Sequence, residues 1–101
     1  MAKPEVLSDA QIRKALPDLH GWRLSRGALR CDFGFESFKK AIQFVNKVAD
    51  LSEAADHHPD IGIRYSQVKL ALSTHDAGGI SPKDVSLARQ IDGLSALRKS
   101  V

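Results

Sequence analysis

The chain has 101 residues, of which 43% are hydrophobic and 27% charged, and its formal net charge is +3. This composition is ordinary for one soluble globular domain, which we expect to cover residues 1–101, and the scattering of basic residues among acids argues against a nucleic-acid partner. No apolar run reaches the roughly 20 residues of a membrane span and no signal-peptide core is present, so we expect a cytoplasmic protein without membrane contact. The only cysteine, Cys31, excludes an intramolecular disulfide.

Three segments have the sequence pattern of helices. The first begins at a capping box and ends before Pro17, and the second ends before Pro59, which disfavours a helical backbone at the residue ahead of it. The predicted helices cover about 8–16, 37–55 and 82–94. The inward stripe of the middle helix is assigned to Phe38, Ile42, Val45, Val48 and Ala49. Phe44 and Leu51 widen this stripe or form a second one, a candidate subunit interface.

Four strands are predicted between these helices from alternating apolar and polar residues. They cover about 22–25, 29–35, 61–65 and 68–72. Each pair of consecutive strands is joined by a short turn, so each forms an antiparallel hairpin. Helices must bury their apolar stripes on a sheet face. We therefore predict an α+β fold of order α-β-β-α-β-β-α, with a four-stranded antiparallel sheet and three helices on one face.

The second hairpin is expected to bring two distant histidines together. If its turn is centred on residues 66–67, Tyr65 faces Val68 and, further along, His58 faces His75. Cross-strand neighbours have Cβ atoms roughly 4.5–5.5 Å apart. The predicted register therefore places both histidines in one site.

Three of the four histidines lie close to acidic residues, a pattern that favours proton transfer because histidine titrates near neutral pH. Glu53 precedes His57 by four residues, so we expect its carboxylate to accept the N–H of that ring. Taken singly, these residues have plain structural explanations. His57 would be a helix C-cap, His75 a surface residue at a strand end, and Asp84 an acid in the first turn of a helix. Their joint register favours a functional site.

The residues that carry this pattern closely resemble the pterin-4a-carbinolamine dehydratase family. They are residues 53–59 (EAADHHP), Tyr65, residues 73–76 (STHD) with the glycine-rich loop that follows, and Asp84. The dense part of the resemblance covers roughly residues 53–92.

The resemblance implies dehydration of 4a-hydroxytetrahydrobiopterin to quinonoid dihydropterin, with no metal and no redox cofactor. It implies that His57 and His75 serve as acid and base, in roles that can exchange, and that His58, the third residue of the catalytic set, mainly holds the substrate. The substrate-binding or histidine-orienting residues would be Glu53, Asp56, Ser73, Thr74, Asp76 and Asp84. It also implies a homodimer or homotetramer and a functional link to an aromatic amino acid hydroxylase in tetrahydrobiopterin recycling.

Other functions compete with this hypothesis. A three-histidine zinc site is possible in principle, but consecutive histidines such as His57 and His58 rarely both reach one metal ion. A metal-dependent phosphoesterase would need a far longer chain and further aspartate motifs. The stronger alternative is a protein-interaction module on the same fold, acting as a dimerisation cofactor or an assembly chaperone. Such a module would have no reason to retain three histidines with their acids.

Overall fold

The computed structural model describes residues 5–94, and its elements follow the predicted order. The helices are α1 (Asp9–Ala15), α2 (Phe38–Ala55) and α3 (Pro82–Asp92). The strands are β1 (Arg23–Ser25), β2 (Ala28–Gly34), β3 (Asp60–Arg64) and β4 (Gln67–Leu72). Single 3₁₀ turns cover Leu16–Asp18 and His75–Ala77. The predicted α+β fold with three helices and a four-stranded antiparallel sheet is confirmed.

Each helix begins after a serine that caps it. The hydroxyl oxygens of Ser8, Ser37 and Ser81 accept backbone N–H groups of the first turn at 3.1–3.2 Å. These bonds satisfy donors that have no partner inside the helix. In α3 the cap is a full capping box, because the Asp84 carboxylate also accepts the backbone N–H of Ser81. This arrangement places a carboxylate at the start of α3.

The sheet has the strand order β1-β2-β4-β3, with every neighbouring pair antiparallel. Side chains of its central strands alternate between a buried face, which packs on the helices, and a face that none of the helices within residues 5–94 covers. The indole of Trp22 lies in the core, and its Nε1–H donates to Asp92 Oδ1 at 2.9 Å. Cys31 is buried in β2. No helix among residues 5–94 is long and apolar enough to cross a membrane.

The predicted inward stripe of α2 is wrong by about one residue of rotation, and Val48 is the one member of it that is fully buried. The structure buries Ala41, Phe44, Val48 and Ser52, whereas Phe38 is 51% exposed. Phe44 is the centre of this contact, with its ring centroid 4.7 Å from that of Phe33. Apolar residues cover more than one side of α2, so periodicity alone does not identify the buried side. The buried side includes the small residues Ala41 and Ser52, which allow close packing.

The predicted register of the second hairpin is also wrong. Ile63 pairs with Val68 and Ile61 with Leu70, so the two-residue turn is Tyr65-Ser66. Tyr65 adopts a positive φ of 52°, which moves the turn one residue towards the N-terminus. The ladder ends where Asp60 faces Ala71, and His58 lies beyond it and does not oppose His75.

Candidate functional site

The C-terminus of α2 determines where the paired histidines point. Asp56 adopts the left-handed conformation, with a φ of 49°, and its N–H donates to the carbonyl of Glu53 at 3.2 Å. The N–H of His57 donates to the carbonyl of Ser52 at 3.1 Å. Together these bonds form a Schellman motif, in which the chain reverses immediately after the helix. The reversal directs the His57 ring towards the start of α3.

His57 meets a buried carboxylate there. Its Nε2 lies 2.5 Å from Asp84 Oδ1, and the two side chains are 11% and 0% exposed. The other carboxylate oxygen, Oδ2, accepts the hydroxyl of Thr74 at 2.7 Å and the backbone N–H of Ser81 at 2.9 Å. Every buried side-chain N or O atom among residues 5–94 has a hydrogen-bond partner. The burial of this carboxylate is therefore compensated by three hydrogen bonds.

The network assigns the protons around Asp84. Thr74 has one hydroxyl proton, and because that proton goes to Asp84, the Ser81 hydroxyl donates to Thr74 Oγ1 at 2.7 Å. When Asp84 is a carboxylate it only accepts, so in that state His57 donates from Nε2. In the neutral ring, this bond places the proton on Nε2 and the lone pair on Nδ1.

The second histidine–carboxylate pair is exposed. His58 Nε2 lies 2.6 Å from Glu53 Oε2, with side-chain exposures of 57% and 77%. The expectation that Glu53 holds His57 is wrong. Glu53 and His57 would share one helical face only if α2 continued to His57. The left-handed Asp56 ends the helix and turns His57 away from that face.

The loop after β4 places the third histidine. The N–H of Thr74 donates to the carbonyl of Gly79 at 2.8 Å, closing a tight loop over residues 74–79. Gly78 has a φ of 77°, a conformation that glycine adopts without steric cost. The loop leaves His75 and Asp76 exposed, while Thr74 stays buried in the Asp84 network.

These segments enclose one cavity of about 380 Å³. It is lined by Asp56, His57, His58, Ser73, Thr74, His75, Asp76 and Lys83. The structure thus brings together seven of the nine predicted site residues, with Glu53 bonded to His58 and Asp84 to His57. Sequence reasoning missed Lys83, whose only signal was its position next to Asp84. Within residues 5–94, no three His, Cys, Asp or Glu side chains are arranged to hold a metal ion.

Fold and site together define a class of small α+β proteins with a histidine–carboxylate pocket suited to proton transfer. Residues 5–94 match the family model described as pterin 4 alpha carbinolamine dehydratase, and the chain belongs to that family. The resemblance found in the sequence is confirmed.

Relatives cover nearly the whole chain. A Mycolicibacterium vanbaalenii protein with the provisional name pterin-4-alpha-carbinolamine dehydratase is 53% identical over 89 residues, which are 88% of this chain and 96% of the relative. A Roseiflexus sp. protein with the same provisional name is 55% identical over 86 residues, 85% of this chain and 92% of the relative.

Solved structures share the fold at lower identity. The crystal structure of a transcriptional coactivator/pterin dehydratase from Brucella melitensis has a TM-score of 0.85 at 29% identity, covering 89% of this chain and 98% of that one. A pterin dehydratase-like protein identified as a RuBisCO assembly factor in the alpha-carboxysome has a TM-score of 0.63 at 26% identity, covering 77% and 93%. The fold therefore occurs in proteins described by different roles.

Proposed function

We propose that this protein dehydrates pterin-4a-carbinolamine (4a-hydroxytetrahydrobiopterin) to quinonoid dihydropterin and water by histidine acid–base catalysis. The observation that carries the proposal is the His57 ring, which lines the cavity while its Nε2 is held by a buried carboxylate. The cavity of about 380 Å³ lies within the roughly 300–1,000 Å³ typical of small-molecule sites. Family membership supports the same reaction.

The reaction requires two proton transfers on one substrate. An acid donates a proton to the 4a oxygen as the C–O bond breaks, and water leaves with the bonding electron pair. A base removes the proton of a ring N–H, whose electrons form the new C=N bond. Positioned acids and bases typically contribute about 10²–10⁴-fold each. We assign these roles to His57 and His75, which lie on different segments of the cavity wall.

The remaining residues would hold the substrate. His58 is exposed and has a carboxylate partner, so it can present a ring nitrogen to the pterin without being fixed by the core. Ser73, Thr74 and Asp76 would supply hydrogen bonds to the pyrimidine edge, and Asp56 lines the wall beside them. Asp84 does not line the cavity and would act through His57, as a positioning residue.

The decisive assay follows the decay of carbinolamine generated in situ by a hydroxylase, with and without this protein. We expect decay faster than the spontaneous reaction, undiminished by a chelator. His20→Ala provides the matched control, because His20 is exposed and does not line the cavity. A spontaneous rate that added protein leaves unchanged would refute catalysis.

A binding role is the second candidate, and two observations favour it. Solved relatives are described as a transcriptional coactivator and as an assembly factor. In addition, every residue of β3 is exposed, including Ile61 at 38% and Ile63 at 41%. Absence of dehydratase activity together with capture of a partner through β3 would favour this role.

The exposed apolar residues also support a homodimer or homotetramer. β3 is an edge strand, so its outer backbone groups have no partner strand within residues 5–94. Tyr65 and Phe38 are 71% and 51% exposed, which a subunit contact would cover. Sedimentation as an 11.0 kDa monomer would rule out this assembly. The cytoplasmic location stays a prediction from the sequence pattern, and the link to an aromatic amino acid hydroxylase stays a prediction from the family resemblance.

A further inference from the structure

The face of the sheet that none of the described helices covers has a distinct composition. Phe33 and Leu70 point into the core, so the residues that alternate with them in β2 and β4 lie on the opposite face. The cross-strand pairs extend this face from β1 to β3. Its charged side chains are Arg23, Arg30, Asp32, Asp60, Arg64 and Lys69. Arg26, in the turn between β1 and β2, lines the same surface. We refer to these seven residues as the sheet-face cluster.

The cluster concentrates positive charge that appeared scattered in the sequence. It contains five basic and two acidic residues, whereas the rest of residues 5–94 contains seven basic and ten acidic residues. Only one of the five, Arg23, forms an ion pair among residues 5–94, with Asp32 at 3.6 Å. Arg30 donates its Nε–H to the carbonyl of Ser25 at 2.9 Å. Most of the cationic groups of the cluster therefore have no anionic partner within the described chain.

A shallow cavity of about 340 Å³ lies within the cluster. Gly62 and Ala71 leave space at its floor, and three arginines line it together with Lys69. One of them, Arg26, has a φ of 51°, a strained conformation in which Asn or Gly is usual for such a turn. The turn therefore places an arginine at a position where Asn or Gly would be less strained.

We propose that the sheet-face cluster is a docking surface for an acidic polypeptide segment of a partner protein. Guanidinium groups bind carboxylates in a bidentate geometry, and four of the five cations here are arginines. A nucleic acid fits less well. The described part of this face has no aromatic side chain on which bases could stack. Asp32 and Asp60 line the cavity and would repel a continuous phosphate backbone, whereas a peptide of mixed composition can pair with them.

This surface is separate from the histidine cavity, because the two cavities share no lining residue. Its occupation is therefore independent of dehydratase activity. Binding at this surface can therefore be measured separately from dehydration.

The test measures fluorescence anisotropy of a labelled peptide of repeated Glu-Glu-Arg as full-length protein is added at low ionic strength, where exposed charges are least screened. The variant Arg23→Gln/Arg30→Gln/Lys69→Gln removes three charges from the cluster. The control Arg13→Gln/Lys14→Gln/Lys47→Gln removes three exposed charges from α1 and α2. We expect the cluster variant to bind about tenfold more weakly, as the loss of three exposed ion pairs would produce. The control should bind within about twofold of wild type, because its charges lie outside the docking surface. Urea unfolding checks that both variants are folded.

A second measurement uses unmutated protein. Carbodiimide coupling joins a glutamate carboxylate to a neighbouring lysine amine, and mass spectrometry locates the joined residue. Coupling at Lys69 in preference to the exposed Lys39, Lys40 and Lys47 would support the proposal. Equal losses of affinity in both triple variants, coupling spread over α2, or tighter binding of a labelled single-stranded oligodeoxynucleotide than of the acidic peptide would each overturn it.

Discussion

Two histidine–carboxylate pairs flank the same cavity, and they differ in burial far more than in distance. The ring nitrogens lie 2.5 Å and 2.6 Å from their carboxylates in His57–Asp84 and His58–Glu53. The carboxylate of Asp84 is 0% exposed, whereas that of Glu53 is 77% exposed. Distance alone would rank the pairs as equal, and burial separates them.

Burial decides what happens when one partner is removed. A buried donor or acceptor without a partner costs roughly 1–3 kcal/mol, because water cannot replace the lost bond. An exposed ion pair contributes only about 0–1 kcal/mol, because water hydrates both groups. We therefore expect substitutions at the buried pair to change stability and rate together, and substitutions at the exposed pair to change substrate binding.

The largest effect is expected at the acid–base histidines. His57→Ala or His75→Ala should lower kcat by about 10²–10⁴-fold, the usual contribution of one positioned acid or base. His58→Ala should mainly raise KM, as expected for a lost binding contact. Steady-state dehydration kinetics distinguish these patterns, with His20→Ala as control. A large kcat loss in His58→Ala with none in His57→Ala would show that the roles are exchanged.

Removing the charge of Asp84 should be next in size. Asp84→Asn offers one acceptor oxygen to the three donors that surround the carboxylate, so at least one buried donor loses its partner. We expect a stability loss of about 3 kcal/mol and a fall in kcat of about 10²-fold as His57 loses its fixed tautomer. Urea unfolding and the dehydration assay measure the two effects. Unchanged stability would contradict the buried network.

Thr74 tests the same network at Asp84 Oδ2, the carboxylate oxygen that His57 does not bond. Thr74→Val removes the hydroxyl that donates to Asp84 and accepts from Ser81, so we expect a stability loss of about 1–3 kcal/mol. Thr74→Ser keeps the hydroxyl and is the matched control. If both variants lost the same stability in urea unfolding, the methyl group and not the hydrogen bonds would be responsible.

The smallest effect is expected at the exposed pair. Glu53→Gln keeps the shape of the side chain and removes its charge, and it should cost under about 1 kcal/mol of stability. We expect kcat to change by less than about threefold and KM to rise modestly, because only the orientation of His58 is affected. A kcat loss comparable to that of Asp84→Asn would show that Glu53 contributes to the chemical step despite its exposure.

Sequence patterns predicted the elements of this fold well, because their signals are local. Ser8 and Ser81 mark helix starts through hydrogen bonds to neighbouring residues, and Pro59 marks the end of α2 through a clash with the residue before it. The histidine block also identified the cavity, since seven of its eight lining residues were named in advance.

The partners of the histidines were not predictable in the same way. They depend on two backbone conformations, the left-handed residues Asp56 and Tyr65, which a sequence pattern does not reveal for residues other than glycine. The left-handed Asp56 directs His57 to Asp84 and not to the predicted partner Glu53. The left-handed Tyr65 places the hairpin turn one residue closer to the N-terminus than predicted. The prediction of the inward side of α2 failed for another reason. Apolar residues lie on more than one side of this helix, and only tertiary packing selects the buried side.

The role of the buried pair is tested most directly by a double-mutant cycle between His57 and Asp84, measured as the rate of carbinolamine dehydration. If Asp84 acts only through His57, Asp84→Asn should lower the rate by about 10²-fold in the wild type and by less than about threefold in the His57→Ala background. An equal loss in both backgrounds would contradict a positioning role for Asp84, because Asp84 would then affect the reaction independently of His57.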